Sequence, residues 1–141
     1  MEHLAIMKKS WKLIPKILTG EKKIESRWYM AKFAPWNRIR AGETVYFKDS
    51  GEKVTAKATV EKVLQFEGLN KTKIKKLLDK YAKDLGIKDL LGNLKFLQNK
   101  RYCILIYLKN AQEIEPFDID KKGFGNACAW ICTDNIEKLK R

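Results

Sequence analysis

The stretch "GEKKIESRW", Gly20 to Trp28, gathers Lys22, Lys23, Glu25 and Arg27 around one aliphatic residue, Ile24. Arginine offers a planar fork suited to phosphate or a base edge, lysine a mobile point charge, and a carboxylate only accepts. Glu25 can therefore hold Arg27 in place or read an exocyclic amine. In a regular strand alternate residues share a face. That puts Lys23, Glu25 and Arg27 on one face and Lys22, Ile24, Ser26 and Trp28 on the other, which Ile24 marks as inward. Lys22 and Glu25 can converge only if the strand bulges or if Lys22 precedes its regular part. The plain alternative is a solvated strand with cross-strand ion pairs, which are worth little.

Two further sets of side chains suit an anionic, base-bearing ligand. "SRWYMAKFAPWNRIR" interleaves Trp28, Tyr29, Phe33 and Trp36 with Arg27, Lys32, Arg38 and Arg40. Aromatic faces stack on unpaired bases and cations contact phosphates. The competing reading is that these rings fill the end of a core beneath a loop. In "NKTKIKKLLDKYAKDLGI", Ile74, Leu77, Leu78, Tyr81 and Leu85 recur at helical spacing, leaving Lys73, Lys76, Lys80 and Lys83 on a cationic outer face. Lys48 joins the candidate contacts from the strand "ETVYFKD", where it shares a face with Tyr46.

The elements that must position these groups are short. "LAIMK" reads as a strand. "SWKLIPKILTG" reads as a helix with Ser10 as N-cap, Pro15 in the first turn and Gly20 closing it. Strands follow in "KKIESRWY", "ETVYFKD" and "VTAKATVEKVLQF", the last with Val54, Ala56, Ala58 and Val60 inward. After the basic helix, "YCILIYL" is apolar on both faces and reads as a central strand. "AWICT" reads as a last strand, and "DNIEKLKR" as a closing helical turn with Asp134 and Glu137 spaced like a capping pair. The expected architecture is α+β: a small mixed β-barrel with a short N-terminal helix and one basic helical insertion. A barrel of that size is filled by its own side chains, so a ligand belongs on the rim or in a cleft beneath a helix.

The 141 residues suit one domain, 1–141, with 45% hydrophobic residues to build a core. No apolar run approaches the ~20 residues needed to span a bilayer. The start lacks the pattern of a signal peptide, so no membrane association and a cytoplasmic location are expected. Three cysteines, Cys103, Cys128 and Cys132, and a single histidine, His3, argue for buried thiols and against a zinc site. No metal or other cofactor is expected. "FDIDKKGFGN" fails as a calcium loop because Ala129 stands where a bidentate glutamate is needed, and "GFG" fails as a phosphate loop because no helix follows it directly. The formal net charge is +13. Such an excess favours polyanionic partners, nucleic acid first.

Gly20, Lys22, Glu25 and Arg27 match G-x-K-x-x-E-x-R, the signature of the ASCH domain family, which has a PUA-like barrel. "AGETVYFKDSG", "ATVEKVLQFEGL" and "YCILIYLKNAQEIEPFDIDKKGFGNACAWI" resemble its later strands, so the resemblance runs from about Leu4 to Leu139 and is closest to stand-alone archaeal and bacterial members. It implies RNA binding by analogy with PUA domains. Some small members are amidohydrolases of 4-acetylcytidine, and a ribonuclease activity is ascribed to others. In the amidohydrolases a lysine, a threonine and a glutamate act together. The lysine matches Lys22, the threonine falls at Glu25, and the glutamate falls near Asp84. A lysine acts as a base only when its pKa is lowered, and a carboxylate at position 25 pushes it up, favouring a protonated Lys22. The leading expectation is RNA binding in a rim cleft at Lys22, Glu25 and Arg27. The alternatives are hydrolysis of a modified nucleoside or RNA through Lys22 and Glu25, and a protein-interaction module with unknown partners.

Overall fold

A computed structural model describes residues 1–141 except 122 and 125–127. The stretch "FDIDKKGFGN", which fails as a calcium or phosphate loop, lies partly outside the described residues, as does the start of "NACAWICT". Among the described residues six strands form one mixed sheet in the order β2-β5-β4-β3-β1-β6. They are β1 (Glu2–Met7), β2 (Ile24–Tyr29), β3 (Thr44–Asp49), β4 (Val54–Phe66), β5 (Tyr102–Phe117) and β6 (Trp130–Thr133). β1 and β3 run parallel, and every other pair is antiparallel. Repeated register shifts between β4 and β5 mark bulges. Bulges bend a strand and raise its twist, and the sheet curls into a half-barrel in an α+β fold.

Among the described residues three α-helices accompany the sheet: α1 (Leu13–Thr19), α2 (Lys71–Leu85) and α3 (Leu90–Leu97). α1 starts from Lys12, a left-handed residue, and not from Ser10, which lies in the preceding 3-10 turn (Lys9–Trp11). Gly20 closes α1 at φ 82°, a conformation that favours glycine. Asn70 caps α2 by accepting from the Lys73 N–H. The closing 3-10 turn, Ile136–Leu139, is capped by Asn135 rather than Asp134. α3 corrects the expectation of a single inserted helix. Asp89 caps it by accepting from the Gly92 N–H at 2.9 Å, and a Cβ at residue 92 would stand 2.2 Å from the other Asp89 oxygen. The glycine that weakens the helical pattern of "LLGNLKFL" is what lets its cap form.

The sheet is buried on both sides where β2 pairs with the first half of β5, and β5 shows why. Ile104 and Ile106 join Met7, Phe47, Trp36 and Trp130 inside the half-barrel. Cys103 and Leu105 face outward, with Ile24, onto Ile74 and Leu78 of α2 and Leu94 and Leu97 of α3. Burying each such aliphatic side chain contributes ~1.5–3 kcal/mol, so the outer layer fixes α2 and α3 on the sheet. It also corrects the face assignment for β2. Ile24 is buried beneath the helices, and Glu25, Arg27 and Tyr29 point to the barrel side. His3 is fully buried and bridged between the Trp130 indole N–H (3.1 Å) and Glu43 (2.8 Å), and burial lowers its pKa. Cys103 is buried, Cys128 and Cys132 are half-buried, and all three are free thiols. No helix of the described residues is long and apolar enough to cross a membrane.

Candidate functional site

Lys22 sits in the three-residue passage between Gly20 and β2, before the strand becomes regular. Both of its flanks are tied to helix ends. The Lys22 N–H donates to the Lys16 carbonyl in α1 (2.9 Å), and the Lys23 N–H donates to the Asp84 carbonyl in α2 (2.7 Å). The Lys22 side chain then runs under the end of α2, where its Nζ donates to the Leu85 carbonyl at 2.9 Å. α2 ends at Gly86, at φ 73°, and a Cβ there would stand 3.2 Å from Lys22 Cβ. Gly86 is therefore required twice, for the left-handed cap and for the close approach of the lysine.

Glu25 meets this ammonium from the strand. Its Oε1 lies 3.6 Å from Lys22 Nζ and accepts the Ser26 N–H at 2.9 Å; its Oε2 lies 3.3 Å from Arg27 Nη2. Lys22 and Glu25 are only 4% and 3% exposed. Burial is the largest influence on Lys22 and lowers its pKa. Glu25 opposes that shift, and Arg27 adds to it. The carboxylate thus raises the lysine's pKa as charge reasoning requires, but desolvation outweighs it. The α2 carbonyl end also favours the ammonium.

Arg27 is engaged elsewhere as well. Nη1 donates to the Ala129 carbonyl (3.1 Å), and Nη2 approaches the Ile6 carbonyl (3.4 Å) and Met7 Sδ (3.3 Å). Its guanidinium carbon stands 5.0 Å from the Trp130 ring centroid. β2 and β6 are the two edges of the sheet, so this one side chain clasps the open side of the half-barrel. Glu25 orients the clasp.

Lys22, Glu25 and Arg27 line one cleft of about 700 Å³ between the turn after β1, β2, and the α2–α3 connection. Trp28 lines it too, half-buried, with its indole N–H on Ser26 Oγ at 2.9 Å. Lys8, Lys16, Lys88 and Lys100 stand around it, against Asp89 as the acidic residue besides Glu25. The other expected contacts lie away from it. Trp36 is core: it is 9% exposed and packs edge-on against Tyr102 at 5.2 Å. Arg38 is exposed, near Cys132 and His3. Lys48 is buried, with Lys121 and Asp118 as charged neighbours, and burial lowers its pKa. Lys73, Lys76 and Lys80 are exposed on α2 outside the cleft lining. Asp84 contributes its backbone carbonyl and does not line the cleft. No cluster of three or more metal-ligand side chains occurs among the described residues.

No protein-family model and no curated protein matches the chain. Solved structures do. An ASCH protein from Zymomonas mobilis superposes with a TM-score of 0.69 at 14% identity, over 97% of this chain and 90% of that one. Two single-substitution variants of ASCH from the same organism give 0.68 at 14% identity, over 99% of both chains, and 0.69 at 16% identity, over 97% and 91%. The chain has the ASCH fold. In this ASCH fold the cleft takes three of its linings from places that motif spacing does not reach: Gly86 at the end of α2, Trp11 in the 3-10 turn, and Phe96 on α3. A glycine after the last apolar position of a helical run was the available signal for Gly86. Trp11 and Phe96 carried none.

Proposed function

We propose that the chain binds single-stranded RNA, with one nucleotide entering the cleft and meeting Lys22 and Glu25 at its floor. The observation that carries this reading is the buried Lys22–Glu25 pair at the closed end of a cleft ringed by cations and lined by Trp28. A volume of about 700 Å³ falls within the range of small-molecule sites. Glu25 has spare acceptor capacity beside Ser26, Lys22 and Arg27, which suits an exocyclic amine. Lys22 donates to Leu85 and keeps further N–H groups for a base carbonyl or phosphate. Arg27 is spent on Ile6, Ala129 and Glu25, so its role in this reading is to position Glu25, not to touch the ligand.

The test is the affinity of single substitutions for one single-stranded RNA at fixed salt. Lys22→Ala is expected to weaken binding by ~1–3 kcal/mol, as for removal of a hydrogen bond to a charged group. Lys109→Ala, at an exposed site on β5, is expected to have a mild effect. Glu25→Gln is the sharper probe. Bulk attraction predicts that removing a negative charge helps, whereas a shaped site predicts weaker binding. Equal effects of Lys22→Ala and Lys109→Ala, with Glu25→Gln unharmed, would leave the motif as scaffold.

A second reading is hydrolysis of a modified nucleoside such as 4-acetylcytidine. Its support is the lowered pKa of Lys22, which brings a lysine closer to service as a base. Against it, Glu25 stands at the threonine's position and Asp84 lies outside the cleft lining. Turnover of 4-acetylcytidine that is abolished by Lys22→Ala decides for this reading.

A further inference from the structure

Trp11 and Phe96 are aromatic side chains left outside the three hydrophobic cores, 49% and 66% exposed. They come from separate elements, the 3-10 turn after β1 and α3, yet they meet across the cleft. Their ring centroids are 6.1 Å apart and their planes are inclined at 81°. A base stacked on one ring therefore has the other as a side wall. The Lys8 ammonium stands 5.0 Å from the Trp11 ring centroid, and Lys88 and Lys100 line the same cleft.

Resting on the RNA-binding reading above, we infer that Trp11 and Phe96 form a second base-stacking subsite at the cleft mouth, which takes the nucleotide next to the one held over Lys22 and Glu25. The two ends of the cleft differ in kind. The floor is buried and charged, suited to reading groups on one nucleotide. The mouth is open and aromatic, suited to sequence-tolerant stacking. An exposed aromatic pair would equally suit an apolar protein surface. Its setting favours nucleic acid, because Lys8, Lys16, Lys88 and Lys100 line the cleft against Asp89 beside the buried Glu25; Asp89 has an oxygen committed to the Gly92 N–H, and Lys88 meets Glu21 only at 3.8 Å on the surface. The subsite makes the ligand an oligonucleotide and not a free nucleoside.

The two ends can be separated by ligand length. Binding of a single-stranded RNA hexamer is measured by calorimetry, and binding of nucleoside 5′-monophosphates by ligand-observed NMR, which detects weak association. Trp11→Leu and Phe96→Leu keep apolar bulk but remove the stacking face, and both sites are exposed enough to leave the fold intact. Each is expected to weaken the hexamer by roughly tenfold, in line with removal of a base–aromatic stack, and to leave the monophosphates unchanged. Phe96→Trp is expected to retain hexamer affinity, while Lys22→Ala weakens both ligands. Equal losses for hexamer and monophosphate overturn the inference, since the rings then belong to the floor's own ligand. Unchanged hexamer affinity in both leucine variants also overturns it, and leaves RNA binding at the floor standing. Failure of the unaltered protein to bind either ligand removes both readings together.

Discussion

Lys22 and the lysines of α2 carry the same charge and share none of the same surroundings. Lys73, Lys76 and Lys80 project into solvent. Lys73 touches the Gly68 carbonyl at 3.3 Å, Lys75 pairs with Asp79 at 3.1 Å, and Lys80 lies 5.3 Å from the Tyr81 ring centroid. These are single surface contacts, worth roughly 1 kcal/mol or less each. Lys22 is held by backbone on both flanks, a helix-end carbonyl and a buried carboxylate. The +13 excess is therefore two things. Much of it is a solvated field that attracts any polyanion. A small part is a shaped site whose geometry can choose among them.

The largest expected effect that tests this division is on stability. Arg27→Ala strips the clasp from the Ile6 and Ala129 carbonyls and leaves Glu25 with one partner fewer in a buried setting. Breaking such a pair is costly, and a loss on the order of 3 kcal/mol is expected, read as a fall in the denaturant midpoint at constant m-value. Arg27→Lys is expected to recover little, because a point charge cannot span acceptors that a planar fork reaches together. A midpoint within experimental error of the parent would mean that the half-barrel is closed by its strands alone.

Gly86→Ala comes next. The left-handed backbone disfavours a Cβ by ~1–2 kcal/mol, and the new methyl meets Lys22 Cβ at 3.2 Å. The expected result is a stability loss of about that size, together with weaker RNA binding, since Lys22 must shift. Gly51→Ala is the control: its φ is also positive, at 81°, but nothing lies within 4 Å of a new Cβ. It is expected to cost similar stability and no affinity. Loss of affinity in both variants would show that Gly86 acts only through general destabilisation.

These residues also mark how much could be read from the chain. The spacing left two ways for Lys22 to reach Glu25, a bulge in the strand or a position ahead of its regular part, and the structure has the second, because β2 begins at Ile24 and not at Lys22. Alternation correctly grouped Glu25 with Arg27. It could not say which face looks into the barrel, because a sheet buried on both sides has no polar face to mark the outside. The partners that give the site its character are distant in sequence: Leu85 is 63 residues from Lys22, and Ala129 is 102 from Arg27. No local pattern encodes such pairs. Trp28 and Trp36 looked equivalent among their arginines, and only packing against Tyr102 sends Trp36 into the core.

The smallest effect expected is the most direct test of the division. Lys73, Lys76, Lys80 and Lys83 lie on the exposed side of α2, outside the cleft lining. Replacing all four by glutamine keeps helix propensity and leaves the buried Ile74, Leu78 and Leu85 untouched. Long-range attraction adds to affinity through released counterions, so each phosphate no longer neutralised should lower the slope of log affinity against log salt by ~0.7 for a single strand. The quadruple variant is expected to bind a long single-stranded RNA less tightly at low salt, with a shallower slope, and to converge on the parent as salt screens the field. Lys22→Ala should behave in the opposite sense. It removes a partner from a buried site, where screening is weak, so its deficit should persist at high salt. The comparison is made by titrating both variants and the parent with one RNA across a salt series. Parallel slopes for the parent and the quadruple variant would mean that the α2 face never meets the nucleic acid. A Lys22→Ala deficit that vanishes with salt would make Lys22 one more surface charge.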